Sequence, residues 1–165
     1  MFEHLGGFER VLVTGPQRSG TRICSKMIAH DTGLRFVDER AFAADSLNRL
    51  WKMLQQETGI VVQCPALCRY VHLLTGESDA VVFMRRPIVD IVASQERIGW
   101  EWEPPERIRY GGGVDLIASV KWWEWIDWQK RMIHYPFEIY YNDLAEHPLW
   151  IPKEQRANFE ACQTE

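Results

Sequence analysis

The sequence predicts a three-layer α/β/α fold around a central, mostly parallel sheet. Three observations carry the prediction. Short apolar runs alternate with longer stretches of helical spacing, the pattern of βαβ units. The runs are apolar throughout instead of alternating, as strands covered on both faces are. Glycines sit where the helical patterns stop. The 165 residues read as one domain, 1–165, without repeats or low-complexity segments, and the 46% hydrophobic content is enough for one core.

Each element has its own local reason. Residues 10–14 (RVLVT) make a short buried strand, and GPQRSG turns the chain into a helix over 21–33 that Gly33 closes. LRFVDE is a second strand. Leu47, Leu50, Trp51 and Leu54 set helical spacing within 43–58, with Gly59 as the stop. IVVQCP is a third strand, and 66–74 reads as a helix ending at Gly76. DAVVFMRRP is the most apolar strand, and Pro87 stands where the next helix can begin. Two prolines and three glycines make 101–113 a loop, and Asp115 is placed to cap a long helix from 116 to about 133. FEIYYNDL is the last strand, running into a turn where Asp143 is expected to organise the backbone.

Composition excludes several functions. A net charge of -4 argues against bulk nucleic-acid binding. No apolar run approaches the roughly 18–20 residues of a membrane span, and MFEHLGGFER lacks a signal-peptide core, so a cytoplasmic chain is expected. Cys24, Cys64, Cys68 and Cys162 form no CxxC pair, and no histidine has zinc-finger spacing, so reduced thiols and no metal are expected.

The chemistry concentrates first in GPQRSGTR, Gly15 to Arg22. In sheets of this type ligands sit at the carboxyl ends of the strands. Glycines let successive N–H groups turn inward, and a helix N-terminus adds positive potential, which suits a phosphate. Arg18, Ser19, Thr21 and Arg22 add charged and hydroxyl donors. Gly15 and Gly20 have the spacing of the nucleotide-binding P-loop, GxxxxGK[ST], but Thr21 stands at the Lys position and Arg22 at the Ser/Thr position. The hydroxyl that binds magnesium in that pattern is therefore missing. The alternative is a glycine-rich turn with no ligand.

QRSGT between a strand and a helix resembles the phosphosulfate loop of sulfotransferases, which use 3′-phosphoadenosine 5′-phosphosulfate (PAPS) and leave adenosine 3′,5′-bisphosphate (PAP). The resemblance spans roughly 10–145 and implies a P-loop fold of the sulfotransferase type. It implies donor contacts from Gly15, Gln17, Arg18, Ser19, Gly20, Thr21 and Arg22, with Arg18 also at the transferred group. The family's second motif, an Arg ending a buried strand and a Ser on the next helix, holds the donor's 3′-phosphate. VVFMRRPIVDIVAS matches it with Ser94 and either Arg85 or Arg86. Spacing to Ser94 favours Arg86, and spacing to the proline favours Arg85. A solvated strand end is the alternative. LRFVDER resembles the protein-tyrosine sulfotransferases in layout, which implies Glu39 as the base that takes the acceptor's proton. Asp38 is the reserve, and His30 and His72 are weaker candidates.

Other features are less specific. Trp122, Trp125 and Trp128 recur every three residues, a core or interface stripe before a ligand wall. Trp100 and Trp102, near Gly111, Gly112 and Gly113, would suit a lid over an aryl or sugar acceptor. The C-terminal donor motif of cytosolic sulfotransferases is not recognisable, and Lys153 and Arg156 are its possible substitutes.

The expected function is transfer of a sulfuryl group from PAPS to a hydroxyl of a small molecule or peptide, with a homodimer compatible. Two rivals stand beside it. One is a P-loop nucleotide or small-molecule kinase using ATP and Mg²⁺. The other is a non-catalytic nucleotide-binding module, indifferent to Glu39→Gln.

Overall fold

The computed structural model describes residues 1–44, 46–97 and 116–152, with side chains in the last stretch from 123 onward. The sheet forms from β1 (Arg10–Thr14), β2 (Arg35–Val37), β3 (Ile60–Gln63), β4 (Asp79–Arg85) and β5 (Tyr135–Tyr140). These 5 strands lie in the order β2-β3-β1-β4-β5, and every pairing is parallel. The helices are α1 (Thr21–Thr32), α2 (Leu47–Gln56), α3 (Ile88–Arg97) and α4 (Leu116–Lys130).

Strand alternation divides the core into two layers. Val11, Val13, Val61, Val82 and Met84 meet Cys24, Met27 and Ile28 of α1 on one face. Leu12, Val62, Cys64, Val81 and Phe83 meet Leu50 and Leu54 of α2 and Ile126 of α4 on the other. β1 lies between β3 and β4, so the connection after β1 runs to one side of it and the connection after β3 to the other, the strand-order reversal at which sheets of this type bind ligands. Cys24, Cys64 and Cys68 are free and buried, and burial pushes all three thiols up, Cys64 to about 12. Among the described residues, no helix is long and apolar enough to cross a membrane.

The local signals explain most boundaries. Gly33 ends α1 at φ 76 with its N–H on Ala29 O. Ser46 caps α2 through the Arg49 amide, and positive φ at Ala43 and Ala44 keeps the helix from starting at 43. The predicted helix over 66–74 is instead two 3-10 turns, Pro65–Leu67 and Val71–Leu73. Its middle carbonyls are used by another element: Gln129 Nε2 donates to Cys68 O (2.8 Å) and Trp125 Nε1 to Arg69 O (3.2 Å). On α4 the buried row among the described side chains is Ile126 and Gln129, continued by Ile133 beyond the helix. Trp125 and Trp128 lie beside that row, 4.7 Å apart, with His72 packed edge-on against both.

Asp31, in the last turn of α1, ties flanking segments together. Its carboxylate accepts from the Phe2 amide (2.9 Å), and lies 2.9 Å from His30 Nδ1 and 3.0 Å from His147 Nε2. Leu149 N–H donates to His147 Nδ1, so the ring proton sits on Nε2 and points at Asp31. That tautomer leaves Nε2 no lone pair for a cation. Burial pushes the Asp31 carboxyl up, but hydrogen bonds from His30, the Phe2 amide, the N-terminal amine and His147 outweigh it and hold it well below the usual carboxylate range. A depressed carboxyl adds stability above its unfolded value, and that stability is lost as pH falls toward the folded one. Asp31→Asn is therefore expected to cost about 2 kcal/mol at pH 7, roughly 4–8 °C in Tm, and progressively less below about pH 4. Thermal melts across that range check it; an equal deficit at every pH would refute the linkage.

Candidate active site at the carboxyl ends of the strands

Gly15 leaves β1 at φ 144, and a Cβ there would stand 2.9 Å from both Met84 O and Ser19 Oγ. The loop is then held from α3 and the β4 end. Gln95 Nε2 donates to Gln17 O (3.4 Å), and Arg86 Nη1 donates to Arg18 O (2.8 Å). Arg18 adopts φ 72, and its Nε donates to Ser94 Oγ at 3.1 Å. Ser19 N–H closes a turn onto Pro16 O (3.0 Å). Its hydroxyl is buried without a hydrogen-bond partner among the described residues. Gly20 is the N-cap of α1, and the first amides beyond it have no intrahelical acceptor. Thr21, at the Lys position of the nucleotide-triphosphatase loop, is buried.

The two strand-end arginines part company. Met84 belongs to the α1 face and Phe83 to the other, so Arg85 points toward α4. There Arg85 bonds Glu138 (3.1 Å) and Asp127 (2.5 Å), and its guanidinium lies over the Trp123 ring at 4.5 Å. Arg86 goes to the loop. The structure therefore brings Arg86 together with Arg18 and Ser94, and leaves Arg85 in an ion-pair network. Arg97, one turn beyond Ser94, also donates to Ser94 Oγ (3.4 Å). Three guanidinium groups thus gather at one hydroxyl and one carbonyl.

On the other side of the loop, β2 ends at Val37 and leaves Asp38 and Glu39 just past the strand. Asp38 accepts from the Arg40 amide (3.1 Å) and forms an ion pair with Arg22, with Nε 3.2 Å from Oδ2. Arg22 is thus directed at Asp38. Glu39 Oε2 is buried with no hydrogen-bond partner among the described residues. Burial above all, and then the Asp38 charge, push its carboxyl up to about 7, against the opposing pull of Arg22 and Arg40. His30 lies near the far end of α1, and His72 is paired with Gln129, so neither stands beside this group.

Sequence reasoning missed several residues here. Gln95 and Arg97 share a helix with Ser94, and Arg97 has the i,i+3 spacing that could have found it. From the sequence, Tyr141 reads with Asn142, Asp143 and Leu144 as structural, and the four lie in a 3-10 turn. The Tyr141 ring lies so close to Gly20 that a Cβ there would approach Cδ2 to 2.5 Å. Arg86 stacks on that ring at 4.1 Å. Gln63, at the end of β3, is 5% exposed and its Oε1 has no hydrogen-bond partner among the described residues. Trp100, Trp102, Gly111, Gly112, Gly113, Lys153 and Arg156 lie outside the described residues.

The strand order and the loop after β1 define a P-loop α/β fold. No protein-family model and no curated protein matches the sequence. Among solved structures, the shikimate kinase of Bacteroides thetaiotaomicron is 16% identical, with 79% of this chain and 86% of that one covered and a TM-score of 0.52. A gluconokinase from Sinorhizobium meliloti 1021 is 16% identical, over 81% of this chain and 83% of that one, with a TM-score of 0.48. The shikimate kinase of Acinetobacter baumannii, in complex with shikimate, is 15% identical over 84% and 88%, with a TM-score of 0.47. The likeness to the first is one of fold. It supports the sulfotransferase resemblance only as far as the shared P-loop fold.

Proposed function

We propose that this protein is a P-loop group-transfer enzyme that moves a charged group from a phosphorylated nucleotide to a hydroxyl acceptor. The carrying observation is Glu39: a half-buried carboxyl raised to about 7, with its Oε2 sealed and without a hydrogen-bond partner among the described residues, just past a strand end beside the loop. A base near the working pH can take a hydroxyl proton as the new bond forms. Arg18, Arg86, Ser94 and Arg97 supply the donor side, and the unpartnered Ser19 hydroxyl fits an anion in the loop.

For the donor, the residues favour PAPS, which when bound would supply an activated sulfuryl group. Thr21 and Arg22 replace the Lys and the metal-binding hydroxyl of the ATP-dependent pattern, and Arg22 is engaged by Asp38. Arg18 and the loop amides would orient the transferred group and stabilise its developing charge. Phosphoryl transfer from ATP–Mg²⁺ is the second reading, and the shikimate kinase likeness in fold favours it. Calorimetric titration with PAP and with ATP–Mg²⁺ distinguishes them. The expected result is PAP binding that weakens at least tenfold in Arg18→Ala, the loss of one charge-assisted contact worth about 1.5–3 kcal/mol. Preference for ATP–Mg²⁺ would transfer the assignment to a kinase, and binding of neither would end the group-transfer reading.

A further inference from the structure

Residues 38–44, between β2 and α2, form a closed turn whose parts oppose one another. The amides of Ala43 and Ala44 bond back to Arg40 O (3.5 Å) and Glu39 O (2.8 Å), and Ala41 N–H donates to Asp38 O (3.0 Å). Closing the turn in this way puts Ala43 at φ 59 and Ala44 at φ 28. Both lie in the left-handed region, where a Cβ is crowded and glycine is the usual occupant. The same turn seals Oε2 of the half-buried Glu39 from solvent, without a hydrogen-bond partner among the described residues. Backbone strain and an unsatisfied carboxyl oxygen thus share one short segment, and opening the turn relieves both.

Other contacts hold it shut. Phe42 is 2% exposed and belongs to the same core layer as Val37, Leu50 and Leu54. Asp38 caps the turn through the Arg40 amide (3.1 Å) and pairs with Arg22 of α1 (3.2 Å). These contacts make the closed form the resting one.

The charge on Glu39 shifts that balance. The groups that face it are Asp38 beside it, Arg40 in the same turn, Arg22 from α1 and Cys64 just past β3. Burial and Asp38 penalise its charge, Arg22 and Arg40 favour it, and the carboxyl stands at about 7. The Cys64 thiol, pushed up to about 12, stays neutral. In water the Glu39 carboxyl returns to its ordinary 4.5. A carboxyl raised in the closed form stabilises that form fully below 4.5, and the stabilisation is lost as pH rises through about 7.

We propose that residues 38–44 are a gate over Glu39: closed, the turn holds Oε2 inside the protein; open, it presents the carboxyl to solvent, and a charge on Glu39 favours the open form. The role of the gate in turnover rests on the group-transfer reading, in which the opened Glu39 is what an acceptor hydroxyl meets. The opening itself does not depend on that reading.

The test is amide hydrogen exchange followed by NMR from about pH 5 to pH 9 at low denaturant, with each rate divided by that of an unstructured peptide. Ala41 and Ala44 report the gate, and Val61 and Val62 of β3 report global unfolding. In the wild type the opening equilibrium at Ala44 should rise by about 10²-fold across this range, the ratio set by the two carboxyl values. It should not respond to denaturant, and β3 should stay the more protected at every pH. Glu39→Gln should show no such rise. Ala44→Gly accepts the positive φ without strain and should raise the protection of Ala41 at least threefold. Four results overturn the gate: no rise in the wild type, a rise that persists in Glu39→Gln, Ala41 and Ala44 amides that open only together with β3, or unchanged or lower Ala41 protection in Ala44→Gly. PAP and ATP–Mg²⁺ titrations of the same samples read the group-transfer assignment separately. Failure of both nucleotides removes that assignment, whereas failure of the exchange arm with a nucleotide bound removes only the gate.

Discussion

Glu39→Gln is expected to lower turnover by about 10²–10⁴-fold while leaving nucleotide affinity within a factor of about two, because a positioned base acts on the acceptor's proton and not on the donor. The wild-type rate should rise with pH through an inflection near 7, where burial, reinforced by the Asp38 charge, places the Glu39 carboxyl against the opposing pull of Arg22 and Arg40. The Glu39→Gln variant, with no carboxyl to titrate, should lack that inflection. Stability moves the other way. A carboxyl raised on folding contributes stability that is fully present below its unfolded value of 4.5 and is lost as pH rises through about 7. At pH 8 the native protein therefore holds a buried charge that the amide lacks, and Glu39→Gln should be more stable there, by on the order of 1–3 kcal/mol, with little difference at pH 4. Rate–pH profiles and thermal melts at both pH values check the pair of effects. A variant that turns over like the wild type would remove Glu39 from the chemistry. A variant that gains stability in a protein that binds nucleotide but never turns over would leave a binding module.

What the sequence revealed depended on whether the signal was local. Gly15 and Gly20 at fixed spacing and Gly33 past the last helical residue act through their own backbone, and each marks its element in the structure. The parallel sheet was legible because its strands are apolar on both faces. The 66–74 segment was misread because its fate rests on residues about 60 positions away, Gln129 and Trp125, which take its carbonyls. The choice between Arg85 and Arg86 was open for a similar reason. Alternation says they diverge, but only knowledge of which face α1 covers says which one meets the loop. Of the tryptophan stripe, Trp125 and Trp128 lie beside the buried Ile126 and Gln129, and the Trp122 side chain lies outside the described residues. Tyr141 reads from the sequence only as structural, because its part at the loop comes from what the fold sets beside it, Gly20 and Arg86.

Tyr141 makes the effect of Gly20 measurable. Gly20→Ala must accommodate a φ of 100 and a Cβ 2.5 Å from the Tyr141 ring, and either alone strains a side-chain-bearing residue. The ring is not free to yield cheaply, because Arg86 stacks on it at 4.1 Å and bonds Arg18 O at 2.8 Å from the same guanidinium. The strain should therefore pass from Gly20 through Tyr141 and Arg86 back into the loop. We expect Gly20→Ala to cost roughly 2–4 kcal/mol, the sum of a backbone and an overpacking contribution, and to weaken PAP binding more than tenfold. A double-mutant cycle with Tyr141→Ala separates the two parts. If the ring transmits the strain, the pair costs less than the sum of the single changes by on the order of 1 kcal/mol or more, with the residual deficit belonging to the backbone. Additive costs would mean that Gly20 is required for its conformation alone, and that the aromatic ring packed over the loop takes no part in shaping it.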